Sequence, residues 1–462
     1  MSDRLPADEV IGPDERESDS PERELADFTT GVATLRLAPL AALIGVLSAG
    51  IALGLLKLIG LFTNLAYFQS FDTHLRSPRG NHLGALAVLI PIAGGLVVGL
   101  MARYGSERIR GHGIPEAMET ILVGGSKSQP RVMVLKPISS AVSIGSGGPF
   151  GAEGPIILTG GALGSVFGQF FHLSAIERRS LLVAGAAAGM SAVFGTPVAA
   201  VLLGVELLVF EWKPRSMILI AIASAVAATA RIAFVEHGLL DRAPLFPTTA
   251  TVPAGVATLF GGLVVGLMGG IAAWVLTKAV YGAEDAFKRL PIHWAWWPAI
   301  GGVVVGIGGL IQPRALGVGY DTISDELAGH LAIGVLISVL IVKLVIWSLA
   351  LGSGTSGGIL APILIMGAAV GGLLAPVLPG GSAGAWSVLG MAAALPGVTR
   401  SPLTAIVFAL ELTNDVRLLL PLVVATTIAH LVSVLVLKRS ILTEKVARRG
   451  FHVLREYSVS PL

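Results

Sequence analysis

The sequence of 462 residues has no cysteine, few charged residues and few aromatic residues. The absence of cysteine excludes disulfide bonds and any metal or redox site built on thiolates. Charged residues make up 13% of the chain and hydrophobic residues 53%, whereas soluble domains carry roughly 25% charged residues. This composition is typical of a protein embedded in a membrane. We also expect no enzymatic activity, no cofactor, no bound metal and no nucleic-acid partner.

Long apolar runs recur along the chain, and several approach or exceed the roughly 20 residues that a membrane-spanning helix needs. These runs are Leu37–Phe68, Gly84–Met101, Pro253–Leu276, Pro298–Ile311 and Leu331–Leu351. A further run, Leu181–Phe210, is broken by glycine and proline into pieces too short to cross alone. Backbone that breaks inside a membrane must be buried in protein or line a wet cavity. The sequence therefore predicts an all-α, multi-pass membrane protein with helices of uneven length.

The two ends of the chain differ in charge and frame the predicted domains. Residues 1–35 are acidic without a hydrophobic period and predict a disordered cytoplasmic tail. Residues 36–440 form the predicted transmembrane domain, with halves at about 36–235 and 253–440. Residues 441–462 are basic and predict a cytoplasmic helix and tail. Because basic segments favour the cytoplasmic side, we expect both termini in the cytoplasm and the protein in the plasma (inner) membrane.

The two halves carry the same signals in the same order. Lys136 and Lys343 lie 207 positions apart, and each is followed nine residues later by Gly-Ser-Gly. The same offset relates Pro155 to Pro362. Two halves with interrupted helices at corresponding positions predict a transporter or channel whose site lies where the halves meet.

Three glycine-rich breaks precede apolar segments, at Gly111–Glu116, Gly147–Pro155 and Gly354–Pro362. In each, a proline stands where a first helical turn would begin. A helix N-terminus leaves backbone N–H groups unpaired and partly positive. Several such ends converging in a membrane would form an anion site without a full cation in lipid. The alternative is that glycine and proline are simply common in transmembrane helices.

Glu153 stands inside the second break, where a carboxylate is costly and therefore a candidate for function. Deprotonated, its side chain could compete with an anion for the loop amides; protonated, it would lose that attraction and swing away. This behaviour would make a gate that responds to pH and to anion concentration. The alternative is a structural ion pair, for which Lys136 is an available partner.

These motifs resemble those of the ClC family of chloride channels and chloride/proton exchangers. The family's three anion-binding signatures stand here as Gly111–Pro115, Gly151–Pro155 and Gly358–Pro362. The segments Pro197–Glu206 and Pro402–Glu411 are similar to the family's dimer-interface region. The resemblance implies two inverted-topology repeats of tilted, broken helices per subunit. It also implies chloride or a related anion as substrate, and a homodimer in the lipid membrane with one pathway per subunit.

The resemblance assigns roles to individual residues, with Glu153 as the gate and Lys136 as an electrostatic residue of the pathway. The anion-binding residues that it implies are Gly111, His112, Gly113, Ile114, Gly151, Ala152, Gly154, Gly358, Ile359, Leu360 and Leu442. Residues 443–450 resemble the exit segment that, in many relatives, leads into nucleotide-sensing CBS domains, and we expect 441–462 to be a cytoplasmic helix and tail without CBS domains in this chain.

Five positions depart from the family pattern. His112 stands for the usual serine ligand, and Leu442 stands for the usual tyrosine ligand. Leu360 replaces a phenylalanine, and Ala152 replaces a basic residue. Leu207 occupies the position of the inner glutamate that carries protons in exchangers. The His112 ring could donate an N–H to chloride or handle protons; alternatively, it faces away and only its backbone amide matters.

Three functions remain open from these residues. Because Leu207 cannot carry a proton, the pattern favours passive, channel-like chloride conduction gated by Glu153. The alternative is a chloride/proton antiporter whose protons bypass Leu207 through water, Glu206 or His112, with fluoride or nitrate as other possible substrates. The third is a membrane protein that senses anions without conducting them. Glu206 and its repeat partner Glu411 are expected to be helix-packing or interface groups.

Overall fold

The computed structural model describes residues 32–122, 124–209, 211–240, 245–248 and 255–451. The predicted acidic tail therefore lies outside the described residues except for its last few positions, and the C-terminal tail beyond residue 451 also lies outside them.

The described residues fold into α-helices joined by short 3₁₀ segments, one π-helical segment (Gly204–Val209) and loops, as the composition predicts. In the first half the helices are α1 (Val32–Phe68), α2 (Leu89–Tyr104), α3 (Ile114–Leu122), α4 (Pro130–Gly145), α5 (Glu153–Phe170), α6 (Ala175–Phe194), α7 (Pro197–Leu203) and α8 (Pro214–Glu236). In the second half they are α9 (Val256–Lys288), α10 (Trp297–Ile311), α11 (Tyr320–Leu327), α12 (Ile333–Gly352), α13 (Leu360–Leu374), α14 (Ala383–Thr399), α15 (Pro402–Thr413), α16 (Leu419–Val436) and α17 (Ile441–Arg448).

The helices differ widely in length, from the 37 residues of α1 to the 7 residues of α7. Within the described ranges, eight helices are long and apolar enough to cross a membrane. The run Leu181–Phe210 is broken, as predicted. Gly195 ends α6 with a left-handed φ of 72°, and Pro197 begins α7, where its missing N–H costs no hydrogen bond.

The two halves meet through reciprocal contacts between α2 and α10. A Cβ placed on Gly95 would lie 2.3 Å from the Pro298 carbonyl oxygen, and one on Gly302 would lie 2.4 Å from the Pro91 carbonyl oxygen. Only glycine lets two helix backbones approach this closely. Equivalent residues exchange the same contact, which is what a pseudo-two-fold axis between two repeats produces. The two halves that repeat in the sequence therefore also repeat in the structure.

A second reciprocal contact links the halves through two glutamates. Glu411 accepts a hydrogen bond from the Ala199 N–H at the start of α7 (2.8 Å). Glu206 accepts bonds from the backbone N–H (2.8 Å) and the hydroxyl (2.7 Å) of Thr404 at the start of α15. Each carboxylate thus satisfies the free N–H groups of a helix in the opposite half. The expected helix-packing role of both residues is observed.

Candidate functional site

The three glycine-rich breaks meet in space. Gly151 and Gly358 form an antiparallel bridge, with hydrogen bonds of 3.1 Å and 2.8 Å between their N–H and C=O groups. Gly111 and Ser356 form a parallel bridge, in which the Gly111 N–H donates to the Thr355 carbonyl at 3.2 Å. The helices α3, α5 and α13 begin directly after these loops. The fold therefore gathers three helix N-termini, from both halves, at one point.

Glycine is required where these loops touch. A Cβ on Gly154 would lie 1.8 Å from the His112 carbonyl oxygen and 3.0 Å from the Gly358 Cα. A Cβ on Gly113 would lie 2.2 Å from the Gly154 carbonyl oxygen, and Gly113 has a φ of 89°. These neighbours are backbone atoms that cannot rotate away. The absence of side chains brings the loop backbones into direct contact.

The Glu153 carboxyl group lies at this junction. Glu153 is the first residue of α5 and is fully buried. A Cβ on Gly358 would lie 3.0 Å from its Oε2 atom, so the carboxyl group rests against the third loop. Its Oε1 atom accepts a hydrogen bond from the Tyr320 hydroxyl at 3.3 Å. The carboxylate thus occupies the space between loops whose amides are the predicted anion ligands.

Lys136 supports the first loop and does not pair with Glu153. Its buried Nζ donates to the carbonyl oxygens of Ile109 (2.8 Å) and Gly111 (2.7 Å). The ammonium group of Lys136 is thus used by the first loop, which does not favour the alternative of a structural ion pair with Glu153. The predicted electrostatic role of Lys136 in the pathway stays a prediction.

A fourth loop, missed by the sequence analysis, is the repeat of the first. Lys343 donates to the carbonyl oxygens of Ala315 (2.9 Å) and Gly317 (3.3 Å), as Lys136 does to its own loop. This loop, Gly317–Gly319, leads into α11, whose first residue is Tyr320. The repeat offset between Lys136 and Lys343 could have revealed it, because Gly317 lies 26 residues before its lysine and Gly111 lies 25 residues before its own.

Two cavities approach the junction from the first and fourth loops. The first, here called the basic cavity, has a volume of about 420 Å³. Its lining includes Glu107, Arg108, Arg110, Gly111, His112, Glu119, Tyr281, Glu284, Lys288, Lys445, Arg448 and Arg449. The second, here called the Tyr320 cavity, has a volume of about 240 Å³ and is lined in part by Gly317, Val318, Gly319, Tyr320 and Asp321. Glu153 lines neither cavity.

His112 lies at the inner wall of the basic cavity. Its side chain is 3% exposed, and its ring Nδ1 has no hydrogen-bond partner among the described residues. A buried polar atom without a partner is costly, so the site is suited to a ligand or water that the ring could bond. Of the two alternatives for His112, this arrangement favours a role for the side chain.

The C-terminal helix α17 closes one side of the basic cavity. Leu442 is fully buried near its start, and the preceding carbonyl, of Ile441, accepts a hydrogen bond from the Tyr281 hydroxyl. Tyr281 comes from α9, a helix in which the sequence analysis saw no site residue. The Tyr281 phenol therefore lies beside the position where Leu442 stands for the usual tyrosine. Its hydroxyl proton, however, is already donated to the Ile441 carbonyl oxygen.

Comparison with known proteins places these features in a family. The family model described as voltage gated chloride channel matches residues 94–434. The H(+)/Cl(-) exchange transporter ClcA of Salmonella paratyphi B is 30% identical over 385 residues, which cover 79% of this chain and 80% of that protein. ClcA of Salmonella newport matches with the same identity and coverage.

Solved structures show the same fold. A slow cyanobacterial Cl⁻/H⁺ antiporter superposes with a TM-score of 0.77 at 23% identity, covering 91% of this chain and 99% of that one. A CLC-type fluoride/proton antiporter gives a TM-score of 0.74 at 22% identity, covering 88% and 97%. The predicted fold of two repeats of broken helices is confirmed. From the family match, the relatives and the shared fold, we conclude that this chain belongs to the voltage-gated chloride channel, or ClC, family.

Proposed function

We propose that this chain exchanges chloride for protons across the membrane, with Glu153 as the shared gate. The observation that carries the proposal is the buried Glu153 carboxyl group, which lies where three helix N-termini meet. Deprotonated, it competes with chloride for the backbone N–H groups of the loops. Protonated, it loses its attraction to the partly positive helix ends, so chloride can take its place. Each time the carboxyl group leaves the loops it carries one proton, and chloride can then pass through the vacated position.

The exchanger, given above as the alternative, is better supported than the channel that Leu207 favoured. The relatives at 30% identity are named H(+)/Cl(-) exchange transporters. Leu207 is fully buried in the π-helical segment Gly204–Val209 and cannot carry a proton. Glu206 is also poorly suited to carry protons, because its carboxylate already accepts hydrogen bonds from N–H and hydroxyl groups of α15. If this chain couples chloride to proton movement, protons must therefore reach Glu153 by a route that avoids Leu207 and Glu206.

His112 supplies that route in our proposal. His112 is one of the residues that line the basic cavity, while its carbonyl oxygen is in contact with Gly154, the residue after Glu153. A histidine in water takes up and releases protons near neutral pH. Burial lowers the pKa of the His112 ring to about 4, so the resting ring is neutral and can accept a proton in transit. The arginine and lysine side chains around the basic cavity support a cytoplasmic position for it in our proposal, because the positive-inside rule associates such residues with that side. Protons would then pass from the cytoplasm through His112, or water beside it, to Glu153.

Purified protein in liposomes with a chloride gradient tests the exchange directly. We expect chloride efflux to drive protons against their own gradient, measured by recording chloride and external pH together. Chloride flux without uphill proton movement would replace the exchanger with a channel. No flux of chloride, fluoride or nitrate would favour the anion sensor. Repeating the assay with each anion in turn identifies the substrate.

His112→Ser tests the proton route. We expect chloride flux to continue while the number of protons moved per chloride falls about threefold or more, because serine cannot exchange protons near neutral pH. The matched control is His330→Ser, at an exposed position between α11 and α12, which should keep the wild-type ratio. An unchanged ratio and pH profile in His112→Ser would show that the protons travel elsewhere.

A further inference from the structure

We propose that Tyr320 is a positioning residue of the gate, whose hydroxyl holds the Glu153 carboxylate in its seated position at the loop junction. The inference rests on the proposed gating role of Glu153. It concerns the fourth loop, a part of the repeat to which neither the motifs nor the comparisons assign a function.

The contact that carries the proposal joins two distant parts of the chain. The Tyr320 hydroxyl donates a hydrogen bond to Glu153 Oε1 at 3.3 Å, across 167 positions of sequence. A phenol stabilises a carboxylate more than a protonated carboxyl group, because hydrogen bonds to charged groups are stronger. The bond therefore favours the state in which Glu153 is charged and seated.

Packing of the ring sets the position of the hydroxyl. The Tyr320 ring centroid lies 6.2 Å from that of Phe194, at the end of α6, and 5.8 Å from that of Phe246, where the rings meet edge to face. Phe194 in turn packs edge to face on Phe408 of α15, at 4.9 Å. The ring is thus held by aromatic contacts that do not involve its hydroxyl. Loss of the hydroxyl alone should leave the ring in place.

Tyr320 also stands on the route between a cavity and the gate. Its side chain is partly buried and lines the Tyr320 cavity of about 240 Å³, whereas the Glu153 carboxyl group behind it lines neither that cavity nor the basic cavity. The phenol lines this cavity and also bonds Glu153, so it lies between the cavity and the gating carboxyl group. The same residue therefore faces the cavity and holds the gating carboxylate.

The charged groups around this pair are few. Lys343 of α12 acts on the Glu153 carboxylate through space, and its Nζ is bonded to the fourth loop that positions Tyr320. Arg231 of α8 acts on Tyr320, and its Nη1 donates to the Ala192 carbonyl oxygen at 3.0 Å. Both cations bond backbone carbonyls, so we expect them to stay in place when the Tyr320 hydroxyl is removed. The effect of that removal can therefore be assigned to the lost hydrogen bond.

Tyr320→Phe tests the proposal, since it removes one oxygen and keeps the ring. We expect the pH of half-maximal chloride flux to rise by about half a unit to one unit. At neutral pH, turnover should rise about threefold to tenfold, because the seated carboxylate is displaced more readily. The flux assay in liposomes across a pH series measures both. The matched control is Tyr104→Phe, which removes a phenol oxygen at an exposed position and should leave the half-maximal pH unchanged.

The double variant with Glu153→Gln separates the proposal from the function on which it rests. In the Glu153→Gln background, Tyr320→Phe should change flux by less than about 1.5-fold, because the carboxylate it acts on is gone. An unchanged pH profile in Tyr320→Phe, or an equal effect in both backgrounds, would overturn the positioning role alone. If Glu153→Gln itself leaves the pH profile unchanged, the gate fails and the positioning role fails with it.

Discussion

Glu153→Gln is expected to abolish chloride-driven proton movement while anion transport continues. Glutamine has nearly the same shape as glutamate but carries no exchangeable charge, so each departure of the side chain no longer moves a proton. It also cannot compete with chloride as an anion for the amides of the three loops. We expect proton movement to fall about tenfold or more. Chloride flux should become nearly independent of pH, as measured in liposomes with both ions recorded.

The control for this substitution is Glu411→Gln. Glu411 is a glutamate bonded to the start of a helix in the opposite half, away from the three glycine-rich breaks. Its substitution should weaken a helix cap, worth about 1 kcal/mol, and leave the ratio of protons to chloride unchanged. Proton coupling that survives in Glu153→Gln would show that another group carries the proton.

Gly154→Ala is expected to destroy the site and lower the stability of the protein. The added methyl group would lie 1.8 Å from the His112 carbonyl oxygen and 3.0 Å from the Gly358 Cα. Both are backbone atoms, so the methyl group must push the first and third loops away from the second. We expect a destabilisation of about 3 kcal/mol or more. Chloride flux should be lost even from protein that still folds, because the helix N-termini no longer converge.

Gly161→Ala provides a matched control in the same helix. A Cβ at Gly161 would first meet a flexible side chain atom, Cδ2 of Leu182, at 3.3 Å. Alanine also favours a helix over glycine by about 1 kcal/mol. We expect this variant to fold and to transport at close to the wild-type rate. Wild-type thermal stability and flux in Gly154→Ala would mean that the loops do not need their close backbone contact.

Much of the architecture could be predicted from local sequence. The apolar runs predicted the membrane-spanning helices, and glycine and proline predicted the break between α6 and α7. The repeat offset between Lys136 and Lys343 predicted two equivalent halves. These features depend on residues that are neighbours in the chain, because helix length, helix ends and turns are set by side chains within a few positions.

The partners of the site residues could not be predicted in this way. Lys136 holds loop carbonyls and not Glu153, and the bond from Tyr320 to Glu153 joins separate halves. The burial of the His112 ring with an unpartnered Nδ1 was also open.

The sequence by itself thus determined that the protein lies in a membrane, that it consists of two repeats, and that three of its helices begin with free N–H groups suited to anions. Only the tertiary structure decided how these ends meet and which phenol holds the Glu153 carboxyl group among them. The physical reason is the range of the interactions. A helix end is a local property, whereas a hydrogen bond across 167 positions exists only once all the intervening helices have packed.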